Sequence, residues 1–214
     1  MGIANEQLFT VCALKASNLI ESLNSQQLAI LAWTYAVADI DAPNLFNEHF
    51  INACVYVMEQ FEIEYFRQLH QWHLWRTHEI SSTGLPDERS QRCFEEFISE
   101  EPTVSRIQTD VVAQLSSIGL VPEEEVLLES GYRIDAIVEV DGNAVGVEVD
   151  GPTHFIGKSR SPTGSTTLKR RQVLLIDGIE LVSVPYWDWC ARSKRRREAA
   201  VSEEVASHLR LVGA

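Results

Sequence analysis

The chain has 214 residues, 45% hydrophobic and 23% charged, with a net charge of −13. That length allows one good core or two modest domains, and the composition is that of a globular protein rather than a disordered one. No run of about 18 apolar residues is present, so no membrane-spanning helix is expected. Cys12, Cys54, Cys93 and Cys190 form no CxxC pair, which predicts free thiols in a reducing compartment rather than a disulfide framework or thiolate metal site. The start, Met1 to Glu6, shows neither a basic-then-apolar leader nor an Arg-rich transit pattern, and position 6 lacks the Ser or Thr of a myristoylation signal.

The charge is unevenly spread. Residues 1–101 hold 15 acids and 5 bases, whereas 102–214 hold 16 acids and 13 bases. Between 158 and 197 ten Lys and Arg stand against Asp177, Glu180 and Asp188, a local excess of +7. The total argues against nucleic acid, since phosphate contacts need cations, but the distribution leaves a basic C-terminal surface. The run Lys194–Arg197 reads either as part of that surface or as a solvated helix end.

Taken in chain order, residues 1–100 read as successive helices. Ser25 is a candidate N-cap for a helix whose Leu28, Leu31, Ala32, Tyr35 and Ala36 recur at three- and four-residue steps. Asp41-Ala-Pro43 breaks it, and Pro43 opens the next helix, carrying Leu45, Phe46, Phe50, Ala53, Val57 and Phe61. A third segment over 62–79 holds Phe66, Leu69, Trp72 and Trp75, and its His70, His73 and His78 read as packing or surface histidines rather than metal ligands. The turn-rich stretch 81–90 is the best linker candidate, and Asp87 is placed to cap a short helix through Phe94 and Phe97.

Beyond Pro102 the periodicity changes. A helix is predicted over 104–118, stopped by Gly119, then strands at about 125–129, 132–140 and 143–150, a helix over 166–177 ending near Gly178, and a last strand from Glu180 to Val184. The expected fold class is α+β, with the order α-β-β-β-α-β after the helical region. A basic C-terminal helix is expected over 191–214.

Asp141-Gly142 between two apolar runs is a two-residue hairpin signal. With those residues as the loop, Asp135 falls opposite Glu148 and Arg133 opposite Asp150. Strand alternation then puts these four on one face, with Ile134, Ala136, Val138, Val145, Val147 and Val149 on the other. Opposed carboxylates lie about 4.5–5.5 Å apart at Cβ and repel, so a cation must relieve them. A divalent metal on Asp135 and Glu148 is the functional answer, and Lys169 or Arg170 from the following helix is the structural one. Arg133 and Asp150 read as an ion pair.

Several segments resemble a known family: Gly131-Tyr132-x-Ile134-Asp135, then Val147-Glu148-Val149-Asp150-Gly151-Pro152-x-His154-Phe155, Thr167-Leu168-Lys169-Arg170-Arg171, and Val182-Ser183-Val184-Pro185-Tyr186-Trp187-Asp188-Trp189. In order and spacing they resemble the RAP domain, here over about 103–190. The helical stretch Leu28-Ala-x-Leu-Ala-Trp-x-Tyr-Ala36 with Pro43-x-Leu-Phe46 is similar to the degenerate helical-pair repeats that precede such domains. The resemblance implies a fold like that of PD-(D/E)XK restriction endonucleases, RNA binding, a part in processing or stabilising organellar transcripts, and a mitochondrial or chloroplast location. The family includes the mitochondrial Fas-activated serine/threonine kinase-like proteins. In the nuclease superfamily an Asp and a Glu hold a metal, which would be Asp135 and Glu148 here. Its Lys two residues after the Glu is Asp150 in this chain, and Lys169 stands as the substitute.

Three functions follow. The first is an RNA-binding protein without a cofactor, contacting preferably single-stranded RNA through His154, Lys158, Arg160, Lys169, Arg170, Arg171, Tyr186, Trp187 and Trp189. The second is a Mg²⁺-dependent endoribonuclease using Asp135, Glu148 and Lys169. The third is a protein-interaction scaffold built on the acidic helices. His154 reads equally as a phosphate contact, a base or a turn-stabilising residue, and Tyr186, Trp187 and Trp189 as base-stacking rings or as the floor of the core.

Overall fold

The computed structural model describes residues 5–157 and 159–191, so Lys158 and the basic run Lys194–Arg197 lie outside the described residues. The chain forms two compact units, residues 1–100 and 101–214.

The first unit is helical: α1 (Glu6–Ser17), α2 (Ser25–Ala38), α3 (Glu48–Val57), α4 (Ile63–Leu74) with a wider turn over Trp75–Glu79, and α5 (Asp87–Ile98). Asn24, not Ser25, caps α2. Its side chain accepts the Gln27 N–H while the Gln27 side chain accepts the Asn24 N–H, a reciprocal box that satisfies two donors. Likewise α3 does not open at Pro43 but at Glu48, because the Asn47 carboxamide oxygen accepts the N–H groups of His49 and Phe50. Leu28, Ala29, Ala32, Tyr35 and Ala36 of α2 are buried. Phe46 is the aromatic hub, its ring centroid 5.2 Å from Tyr35, 5.0 Å from Phe50 and 5.5 Å from Trp72. His70 packs on Phe94 and Phe97 of α5. Burial pushes the Cys54 and Cys93 thiols up, the latter to about 12, so both stay protonated.

The stretch 81–90 is not a linker. The buried Arg76 guanidinium donates to Asp41 Oδ1 at 2.8 Å, Ser82 Oγ at 2.6 Å and the Phe46 carbonyl at 3.3 Å, pinning the loop. The Leu85 N–H donates to His73 Nδ1 at 3.0 Å. A Cβ on Gly84 would stand 2.4 Å from that same Nδ1. Gly84→Ala is therefore expected to destabilise the first unit by about 1–3 kcal/mol, read as a lower urea midpoint. An unchanged midpoint would mean that the loop is not held on α4.

The second unit begins with α6 (Arg106–Ser117), capped by Ser105 and Gln108 and followed by Gly119 at a φ of 92°. Next come β1 (Glu123–Leu127), β2 (Arg133–Val140), β3 (Asn143–Asp150), α7 (Gly164–Gln172) with a wider turn over Val173–Asp177, β4 (Glu180–Pro185) and the short α8 (Tyr186–Ala191). The order is the expected α-β-β-β-α-β. The sheet runs β1-β2-β3-β4, antiparallel except for β3 and β4, whose parallel pairing needs the α7 crossover. Asp141 and Gly142, with φ of 52° and 81°, make the tight turn, and Ala136↔Val147 through Val140↔Asn143 hold the predicted register.

One face of the sheet carries Ala136, Val138, Val145, Val147, Val182 and Val184, packed with Val111 and Leu115 of α6 and with Trp189. The alternation expected for Ile134 fails. Its Cγ2 lies 3.3 Å from where a Cβ on Gly146 would point, on the face opposite Val145 and Val147. The printed ladder ends at Ala136↔Val147, and the Asp135 side chain takes up the Val149 N–H beyond it.

Candidate RNA interface

The face that β3 and β4 turn away from Val145, Val147, Val182 and Val184 carries Glu148, Asp150 and Ser183, and the crossover brings Lys169 and Arg170 of α7 onto it. Asp135 joins from β2, its Oδ2 accepting the Val149 N–H at 2.7 Å. Lys169 Nζ lies 2.8 Å from both Glu148 oxygens and 2.8 Å from the Arg133 carbonyl. An ammonium has three donors, and all three are used here. Lys169 is thus a structural partner of Glu148, with no donor left for phosphate.

Burial pushes the Glu148 carboxyl up against the pull of Lys169, while Asp135 and Asp150 push it the same way as burial. Burial raises Asp135 as well, opposed by the Val149 N–H and Lys169. The cation that relieves the Asp135–Glu148 repulsion is therefore an ammonium. Among the described residues no group of three His, Cys, Asp or Glu side chains is placed to hold a metal. Lys169 stands against both oxygens of Glu148, and Asp135 Oδ2 is taken by the Val149 N–H.

The expected Arg133–Asp150 ion pair does not form. Arg133 Nη1 donates to the Glu125 carbonyl on β1 at 2.9 Å. Asp150, 1% exposed, instead accepts from Arg170 Nη2 at 2.7 Å and from Ser183 Oγ, and its Oδ1 meets His154 Nδ1 at 2.7 Å. Burial alone would raise Asp150, but the hydrogen bonds of His154 and Ser183 and the charge of Arg170 hold it below the usual carboxylate range. That hydrogen bond to Asp150, stronger than the opposing burial, lifts His154 above the usual imidazole value.

After β3 the chain turns at Gly151 into the helical turn Pro152–His154, and Phe155 bridges Pro162. The Ile156 N–H donates to the Ser161 carbonyl and the Thr163 N–H to the His154 carbonyl, closing the loop. The loop carries Arg160 back over the indole of Trp187, its Cζ 5.4 Å from the ring centroid. Phe155 supports Trp187 at 4.2 Å and Tyr186 meets it edge-on at 5.2 Å. Arg160 is exposed and Tyr186 and Trp187 are half-buried, whereas Trp189 is 5% exposed within the apolar core. Trp189 therefore closes the core and presents no face for stacking. Arg171 on α7 is half-buried, and Lys158 lies outside the described residues. Sequence reasoning missed Phe155 and Ser183. The position of Phe155, straight after His154, and the parity of Ser183 with Leu181 on β4 were the available signals.

Residues 147–203 match the family model described as RAP domain. This segment is similar to RAP domains. It begins on β3 and takes in Glu148, Asp150, His154, Lys169, Arg170 and Trp187. The chain is also 26% identical over 196 residues to a protein of Oryza sativa subsp. japonica described as RAP domain-containing protein, chloroplastic, a match covering 83% of this chain and 29% of the relative. The chain thus spans less than a third of that relative's length. No helix among the described residues is long and apolar enough to cross a membrane.

Proposed function

We propose that this protein binds single-stranded RNA through its RAP-like domain and acts in the processing or stability of organellar transcripts by holding RNA rather than cutting it. The observation that carries the reading is the platform of Arg160, Trp187, Tyr186 and Phe155 at the end of β4. Every base has a π-face, so rings and guanidinium planes hold unpaired nucleotides with little sequence preference. The cationic Arg170 and the half-exposed His154, next to Phe155 in the chain, supply the phosphate contacts. Lys169, bound to Glu148, supports a site that works without a divalent ion. The chloroplastic relative supports an organellar setting, chloroplast or mitochondrion.

Titration of the full chain with labelled single-stranded and duplex RNA, in Mg²⁺ or EDTA, tests this. Salt-sensitive binding of intact single strands, unchanged by EDTA, is the expected result. Mg²⁺-dependent cleavage that is lost in Glu148→Gln would make the protein a nuclease instead. Asp135→Asn is expected to leave RNA affinity unchanged or to improve it, because it removes an anion near phosphate. A large loss of affinity in a folded variant would show that a cation bridges that carboxylate to RNA.

A second reading, protein binding by the helical unit, is favoured by one observation. Leu8, Val11 and Leu14 of α1, with Leu19 and Ile30, are exposed, and several of them line an apolar groove between α1 and α2.

A further inference from the structure

We infer that His154 and Arg170, both anchored on Asp150, form a phosphate seat beside the Trp187 platform, and that this seat engages RNA only with His154 protonated. The inference rests on the RNA-binding reading and assigns the contact that makes it pH-dependent.

The anchor is the buried carboxylate of Asp150, which takes Arg170 Nη2 and His154 Nδ1 at 2.7 Å each as well as Ser183 Oγ. Facing Asp150, His154 carries its Nδ1 proton toward the carboxylate. Nε2 then lies at the far end of the ring, on a side chain that is 42% exposed. In the neutral ring Nε2 is a lone pair that repels a phosphate oxygen, and in the imidazolium it is a donor. The ring's charge state therefore decides whether this position attracts or rejects the RNA backbone. Arg170 engages Asp150 through Nη2, and Nη1 makes no hydrogen bond among the described residues. The Arg170 side chain is one-third exposed, a fixed charge next to the switchable one.

Charged groups from three elements bear on the His154 proton. Asp150 and Glu148 of β3 hold it on, while burial and Lys169 of α7 oppose them, and Asp135 of β2 couples to the ring as well. The three carboxylates Asp135, Glu148 and Asp150 are offset by two fixed cations, Lys169 and Arg170. Protonating His154 brings this cluster from a net negative charge to balance, which removes the repulsion toward phosphate. His154 is the residue before Phe155, whose ring lies 4.2 Å from Trp187, so a base on Trp187 brings its own backbone to the seat.

The test is the affinity of the full chain for oligouridylate, whose base stays essentially neutral in this range, from about pH 6 to about pH 8 at constant ionic strength. Wild-type affinity should fall roughly tenfold as pH rises, the worth of one charge-assisted contact. His154→Gln, a change at a half-exposed side chain, should bind with a flat profile near the wild-type level at high pH. In the wild type, the His154 ring signal followed by NMR should titrate at a higher pH once oligouridylate is bound. Equal binding of 5′-hydroxyl and 5′-phosphorylated strands would assign the seat to internal phosphodiesters, and preference for the latter to a terminal phosphate. A wild-type slope that persists in His154→Gln, or a ring titration unmoved by RNA, overturns the seat. If in that case Trp187→Ala still weakens binding, the RNA-binding reading stands without the seat. Absence of RNA binding at every pH overturns both.

Discussion

Lys169→Met should lower the stability of the second unit by about 3–5 kcal/mol, because it removes one partner of a buried pair and keeps the other. Methionine retains the packing of the stem, so the loss reports the charge. Glu148, 6% exposed, would face Asp135 and Asp150 with no cation on its oxygens. Burial already lifts the folded-state pKa of Glu148, so at neutral pH its ionisation works against folding, and that penalty disappears as pH falls and the carboxyl protonates. Without Lys169 that pKa rises further. The deficit of the variant should therefore be full at neutral pH and shrink in mildly acidic buffer, where Glu148 binds its proton. Urea unfolding at the two pH values measures this, and Lys169→Met with Glu148→Gln should recover much of the loss. A deficit that is the same at both pH values would mean that Lys169 contributes packing only.

The two tryptophans of α8 should separate cleanly. Trp189→Ala is expected to cost about 3–5 kcal/mol, since its ring fills the core with Val111 and Leu115 of α6 and with Val182 and Val184 of β4. Trp187→Ala, at a half-buried ring between Arg160 and Phe155, should leave the unfolding midpoint near that of the wild type. Equal destabilisation by both substitutions would place Trp187 in the core as well and remove the stacking platform.

The register of the central hairpin was legible from Asp141-Gly142 as far as Ala136↔Val147, because a two-residue loop with positive φ fixes the pairings next to it. The order of elements followed from the change of periodicity near Pro102 and the glycine stops at Gly119 and Gly178. What local pattern could not carry was long-range. Arg133 looks paired with Asp150 in a flat ladder, but β1 offers it the Glu125 carbonyl and α7 offers Asp150 Arg170. Three consecutive bases, Lys169, Arg170 and Arg171, look equivalent in sequence. The helix gives Lys169 to Glu148 and Arg170 to Asp150, and only the crossover decides which. Trp187 and Trp189 likewise differ only through the helical turn of α8. Residues 81–90 have loop composition, and nothing local reveals that His73 and Arg76 bind that loop to α4. The Asn24 cap, by contrast, was readable, since Gln27 three residues on marks the reciprocal box better than Ser25 does.

The most direct test of the central claim is an equilibrium titration of labelled single-stranded RNA with the wild-type full chain, Trp187→Ala and Arg160→Ala at one salt concentration. Trp187→Ala should weaken binding by about 1–3 kcal/mol, the worth of one stacked base, and Arg160→Ala should weaken it less, with both variants folded. Unchanged affinity in folded Trp187→Ala would contradict the claim that RNA stacks at the end of β4.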